Sequence, residues 1–248
     1  MPLLDNTFYT KLINYAKQLN ARPEDLLVVM ASESGLNPAS TKGMPYRGLT
    51  TLGWQPGFTD QFMTKDEWDR LADMPPSEAI DYSYKQFAQY MKMYGRKRWV
   101  NALDMYLANA APDVWRRNNN TLDSVVYPYG SANWKANKGI IGGQERDILV
   151  KDLVSFLNRP GSKAIWSSAI RELNNFRLQA GLPSQGGYTP VSFIEYVPDF
   201  DIQDINAENT QSGIYVDKPV QSLGTFEHVA LFGGLLLLGY AIFSHKGK

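Results

Sequence analysis

The chain of 248 residues contains no cysteine, which excludes disulfides, thiolate nucleophiles and cysteine-ligated zinc and leaves the redox compartment open. It also lacks an excess of charge: 25 basic residues balance 25 acidic ones. No basic stripe stands out, so the electrostatic footprint of a nucleic-acid binder is missing and no nucleic-acid partner is expected. Histidine occurs only at His228 and His245. Both flank one apolar segment, too far along the chain from the rest for a triad or a metal site, which suits placement at a membrane interface. There is no phosphate-binding loop, dinucleotide fingerprint or calcium loop, so no cofactor and no metal are expected. The opening MPLLDNTFYTKLINYAK lacks the charged-then-apolar pattern of a secretory signal and reads as the start of a folded helix. No strand-rich region and no internal repeat is visible.

What is present is a succession of helical patterns. Asn6 or Thr7 is placed to cap a first helix whose apolar residues Phe8, Leu12, Ile13, Ala16 and Leu19 recur every three to four positions. A second helix opens near Pro23, with Glu24 and Asp25 at its positive end, and runs to Glu33. From Asn37 to Phe58 glycine, proline, serine and threonine take over, which reads as loop or irregular strand. Thr64 to Glu67 resembles a capping box before a short helix, and Pro75-Pro76-Ser77 leads into another helix over Glu78–Tyr94, closed by Gly95. Trp99–Ala110 is helical up to Pro112, Asn118–Gly143 reads as a second long loop, and Glu145–Leu157 and Ile165–Leu178 are helical again. The fold expected is mainly α.

The segment Met30–Gly53 carries the most chemical information. Glu33 ends the apolar run Leu26-Leu27-Val28-Val29-Met30-Ala31 and precedes Ser34, Gly35 and Asn37-Pro38, a helix stop. An apolar site and the negative end of a helix dipole both disfavour the charged carboxylate, so the pKa of Glu33 is expected to rise. A carboxylic acid still protonated near neutrality is what protonation of a glycosidic oxygen requires. The plainer alternative is a solvated or capping glutamate at a helix end.

Glu33-Ser34-Gly35-Leu36-Asn37-Pro38 resembles the E-S-x-x-N-P signature of the soluble lytic transglycosylase and goose-type lysozyme group of the lysozyme-like superfamily. Arg47 to Leu52 stands in place of that family's G-L-M-Q segment: Gly48 and Leu49 match, and Thr51 stands where a glutamine is usual. Gln86–Tyr94 is similar to the helix leading into the third motif. Tyr106-Leu107-Ala108-Asn109-Ala110-Ala111-Pro112 resembles the A-Y-N-A-G-P region, in the Y-L-A-N-x-A-P form of phage virion lysins, a version that Tyr127 and Asn133–Asn137 also suit. The resemblance spans roughly Phe8 to Leu157 and implies a lysozyme-like domain over residues 1–180.

It also implies cleavage of the β-1,4 bond between N-acetylmuramic acid and N-acetylglucosamine in peptidoglycan glycan strands, with Glu33 as catalytic acid and then base. Ser34 and Thr51 would contact substrate or orient the site, Tyr106 and Asn109 would orient the sugar, and Tyr46, Trp54 and Tyr127 are available to stack on pyranose rings or else to pack in the core. Hydrolysis normally needs a second carboxylate. Asp60, Asp66 and Asp69 qualify by sequence order but sit in no motif. With one acid, the expected route is intramolecular attack of the muramoyl C6 hydroxyl, leaving a 1,6-anhydro product, with muramidase hydrolysis as the second choice.

Beyond the domain, residues 181–224 have the composition of an extended linker, with a short strand possible at Val191–Val197. Val229–Phe243 (VALFGGLLLLGYAIF) carries no charge and is followed by Lys246 and Lys248, so residues 225–248 read as a C-terminal membrane anchor. At ~1.5 Å per residue the apolar run is slightly short for a core of about 30 Å, which Thr225 and Phe226 and snorkelling lysines would make good. Together these features suggest a membrane-tethered muralytic enzyme of a phage virion, associated with the virion membrane and other virion proteins. The rival is a non-enzymatic, membrane-anchored structural or spike-associated virion protein that keeps the fold as a binding module.

Overall fold

The computed structural model describes residues 4–117, 120–183 and Tyr188. Among them the chain is mainly helical, with two small antiparallel sheets. Helix α1 (Asn6–Gln18) is capped by Asp5, whose carboxylate accepts the Phe8 N–H at 2.7 Å, one residue earlier than Asn6 or Thr7. It buries Phe8, Tyr9, Leu12 and Ala16. Helix α2 (Pro23–Ser34) is the centre of the molecule: every residue from Glu24 to Ser34 is buried. A helix apolar on all sides has no solvent face to present, and α2 is accordingly enclosed by its neighbours. It ends where Gly35 takes φ 65°, a left-handed conformation that glycine adopts without a Cβ penalty.

After a short 3-10 turn at Pro38–Thr41 comes a hairpin of β1 (Tyr46–Arg47) and β2 (Leu52–Gly53), with Tyr46 opposite Gly53 and Arg47 opposite Leu52. Helix α3 (Lys65–Arg70) has the capping box expected from Thr64 and Glu67. Helix α4 (Pro76–Tyr94) is closed by Gly95 at φ 65°. Helix α5 (Ala102–Ala110) starts three residues later than Trp99, because Asn101 caps it by accepting the Asp104 N–H. Pro112 begins helix α6 (Pro112–Trp115) as well as following α5.

The tract Asn118–Gly143, expected to be loop, instead holds strand β3 (Val125–Tyr127), helix α7 (Ala132–Asn137) and a 3-10 turn at Lys138–Ile141. These pieces are too short for a periodic signal and are fixed by tertiary partners. Strand β3 pairs with β4 (Ile148–Leu149), and α7 buries Trp134, whose indole N–H donates to Arg146 O at 2.7 Å. Helix α8 (Val150–Leu157) therefore begins after Glu145, behind an Arg146–Asp152 ion pair of 2.7 Å. Helix α9 (Pro160–Gln179) is longer than the segment Ile165–Leu178, since Pro160 suits the first helical turn.

Around α2 pack α9, α5, α1 and α8, with α4 laid on α1. Buried polar links pin α2 at its N-terminal end. Arg177 on α9 donates to Glu24, while Asp25 accepts from Arg22, from the Ala102 N–H at 3.1 Å and from the Tyr188 hydroxyl at 2.6 Å. With one end of the central helix fixed in this way, its other end presents Glu33 at a defined place.

Apart from 181–183 and Tyr188, the linker region 181–224, its Val191–Val197 segment and the anchor 225–248 lie outside the described residues. Among the described residues, no helix is long and apolar enough to cross a membrane.

Candidate active site

Glu33 sits in the last turn of α2 with 5% of its surface exposed. Burial pushes its carboxyl up from the ordinary 4.5 to about 7, against hydrogen bonds from Thr51 and Asn109 and the positive charge of Arg159, which pull it down. The first of those donors is the Thr51 hydroxyl, bonded to Oε2. The second is the Asn109 side-chain N–H, 2.9 Å from Oε1. Thr51 comes from the loop of the β1–β2 hairpin and Asn109 from the last turn of α5, so three elements distant in sequence meet at one carboxyl.

Thr51 reaches Glu33 from an unusual backbone. Its φ is 50°, in the left-handed region where a β-branched side chain is disfavoured by roughly 1–3 kcal/mol. Gly48, at φ 80°, opens the same loop. The serine after the acid secures the loop from the other side: Ser34 Oγ lies 2.9 Å from Leu49 O and 3.1 Å from Met30 O, donating to both in a shared bond. Ser34 thus ties the hairpin to the end of α2, and its hydroxyl is spent on protein carbonyls.

Three of the expected aromatic residues lie close enough to the same carboxyl to feel its charge. Tyr46, Tyr106 and Tyr127 are all buried, and burial first and the Glu33 carboxylate second push their phenols above the usual range. Tyr106 packs its ring 5.9 Å from Phe156, and the Tyr127 hydroxyl donates to Ala110 O at 2.5 Å, bracing the segment that follows Asn109. Trp54 is half-buried in a different cluster, 6.3 Å from Trp68 and with the Lys65 ammonium 5.8 Å from its ring. The three aspartates stay outside the site. Asp60 is exposed and accepts the Gly57 N–H, Asp69 pairs with Lys65 at 2.6 Å, and Asp66 is exposed in the first turn of α3.

Several residues of the site escaped the sequence reading. Gln86 and Ser83 project from α4, and Arg159 stands between α8 and α9 with its guanidinium 3.9 Å from the Phe156 ring centre and its Nε donating to Ser162. One signal for Gln86 and Ser83 was available: they share a helical face with Ala79, Phe87 and Tyr90, which places polar groups in an apolar stripe. Arg159 had no such signal.

Chemically, the arrangement holds one carboxyl that is neutral below about pH 7 and ionised above it, braced by two donors at its two oxygens. Such a group can give a proton to an oxygen and take one back. Among the described residues, no cluster of histidine, aspartate and glutamate has the arrangement to hold a metal ion. Set against models of protein families, curated proteins and solved structures, the chain matches none.

Proposed function

We propose that this protein is a lytic transglycosylase that cuts the glycosidic bond between N-acetylmuramic acid and N-acetylglucosamine in peptidoglycan. The observation that carries the proposal is the buried Glu33 carboxyl, held by Thr51 and Asn109 and protonated to near neutrality. Neutral Glu33 gives its proton to the glycosidic oxygen as the C1–O bond breaks. The carboxylate then takes the proton of the muramoyl C6 hydroxyl, whose oxygen bonds to C1 and closes the 1,6-anhydro ring, so the acid is regenerated without a water. One carboxyl suffices for this route, whereas hydrolysis normally draws on a second. The side-chain groups acting on Glu33 include two neutral donors and one cation, and the three candidate aspartates lie elsewhere.

The reading extends to a virion enzyme tethered to a membrane through Val229–Phe243 and acting on the cell wall during entry. Its rival is a non-enzymatic virion protein of the same fold. Full-length protein added to purified peptidoglycan should clear its turbidity, and Glu33→Gln should not. If neither protein clears it, the enzyme reading fails and the binding module takes its place.

A further inference from the structure

Behind Asn109 lies a closed ring of hydrogen bonds. The Thr50 hydroxyl donates to Gln86 Oε1 at 2.6 Å, Gln86 Nε2 donates to Asn109 Oδ1 at 2.7 Å, and Asn109 Nδ2 donates back to the Thr50 carbonyl at 3.1 Å. Thr50 and Gln86 are both buried and Asn109 is half-buried, so the Thr50–Gln86 bond cannot be exchanged freely for water and the two bonds of Asn109 are partly shielded from it. The direction of the ring is set by one member. A backbone carbonyl can only accept, so the Asn109 amide must turn its NH2 toward Thr50 O and its oxygen toward Gln86. Gln86 must then present its own NH2, which leaves its oxygen to the Thr50 hydroxyl. Ser83 Oγ, 3.3 Å from Thr50 Oγ1, completes the set as a donor to that hydroxyl. Asn109 Nδ2 carries two hydrogens. One is used by the ring, and the other points at Glu33 Oε1.

We propose that Thr50, Gln86 and Asn109 form a polarity-fixing ring whose product is one amide N–H aimed at Glu33, which makes Gln86 a positioning residue for that carboxyl without touching it. Its place in catalysis rests on the proposed role of Glu33, but the ring is testable without any substrate. The same orientation that offers Glu33 a donor denies it the amide oxygen. Loss of Gln86 frees Asn109 Oδ1 of its partner and loosens the group that favours ionised Glu33. Arg159, which acts on Glu33 directly, and Tyr46, Tyr106 and Tyr127, whose phenols feel the Glu33 charge, are untouched by such a change. Tyr90, which feels the same charge, shares a hydrogen bond with Gln86 and is reached by it, so the Asn109→Ala background is what separates the two routes.

The test is a carbon-13 NMR titration of the Glu33 carboxyl in the full-length protein, assigned by its absence in Glu33→Gln. Asn109→Ala should move the midpoint upward by about one pH unit, the worth of a hydrogen bond to a charged group. Gln86→Met should move it the same way by a smaller amount, and should add nothing in the Asn109→Ala background, because Gln86 acts through Asn109. A Gln86→Met protein with a cooperative melting curve and an unmoved midpoint overturns the proposal. So does a Gln86→Met effect that survives undiminished without Asn109. If Gln86→Met does not fold, Thr50→Val removes the hydroxyl at constant shape, with the same upward movement expected and an unmoved midpoint again refuting the ring. Midpoints that move as described, in a protein that leaves peptidoglycan intact, support the ring and remove the enzyme reading.

Discussion

Replacing Glu33 by glutamine should make this protein more stable at alkaline pH while abolishing the activity proposed for it. In the unfolded chain Glu33 titrates near its ordinary 4.5, and in the folded protein near 7. Between those values the folded state binds the proton and the unfolded state does not, so stability is lost as pH rises through that window. Below 4.5 both states carry the proton and the penalty vanishes. At about 1.4 kcal/mol per pKa unit, the rise to about 7 corresponds to about 3 kcal/mol of destabilisation by ionised Glu33. Glutamine keeps the shape and both contacts: its oxygen still accepts from Asn109, and the Thr51 hydroxyl turns to accept from its NH2. Urea unfolding of the two proteins, compared at about pH 4 and about pH 8, cancels every other titrating group to first order. The stability difference between variant and wild type should shift in favour of the variant by about 3 kcal/mol on going to the higher pH. A difference that stays constant across that range would show that Glu33 titrates normally, and the case for a neutral acid at this site would fall.

Activity should follow the same proton. The rate of peptidoglycan clearance should fall as pH rises through about 7, since only neutral Glu33 can protonate the leaving oxygen. Thr51→Val keeps the left-handed backbone and loses the donor to Glu33, so the descending limb of that profile should move to higher pH and the maximal rate should drop about tenfold. A limb that stays in place would mean that Thr51 does not hold the carboxyl. At the far end of α2, Arg177→Met leaves the Glu24 carboxylate buried without its cation and should destabilise the fold by about 3 kcal/mol in urea unfolding. Asp104→Asn should have a comparable effect, because Asp104 takes bonds from Arg96, the Trp115 indole and the Val100 N–H. Loss of less than about 1 kcal/mol in either variant would place these links among the dispensable ones.

Helices α2 and α4 were readable because they carry their own boundary chemistry: Pro23 and Gly35 bound α2, and Gly95 ends α4, whereas α9 was read from Ile165 and begins at Pro160. Glu33 was readable for the same reason, as an acid at the end of an all-apolar run. Strand β3 and α7 were not, because a three-residue strand and a six-residue helix take their order from distant partners such as Ile148 and Arg146. The site shows the same division. Thr51 drew attention as the position where glutamine is usual, and the structure gives its hydroxyl to Glu33, something no spacing argument conveys. Ser34 was expected to contact substrate or to orient the site, and its hydroxyl bonds the hairpin that carries Thr51. Gln86 matters through a bond to Asn109, 23 residues away in sequence, and a contact of that kind leaves only a polar letter on a buried face.

The most direct measurement is mass spectrometry of the soluble products when the full-length protein digests purified peptidoglycan. Muropeptides ending in 1,6-anhydro-N-acetylmuramic acid, present with the wild type and absent with Glu33→Gln, are what this account predicts. Products with an ordinary reducing end would contradict the single-acid route, and no soluble muropeptide at all, or equal release by Glu33→Gln, would contradict the claim that Glu33 cleaves the glycan.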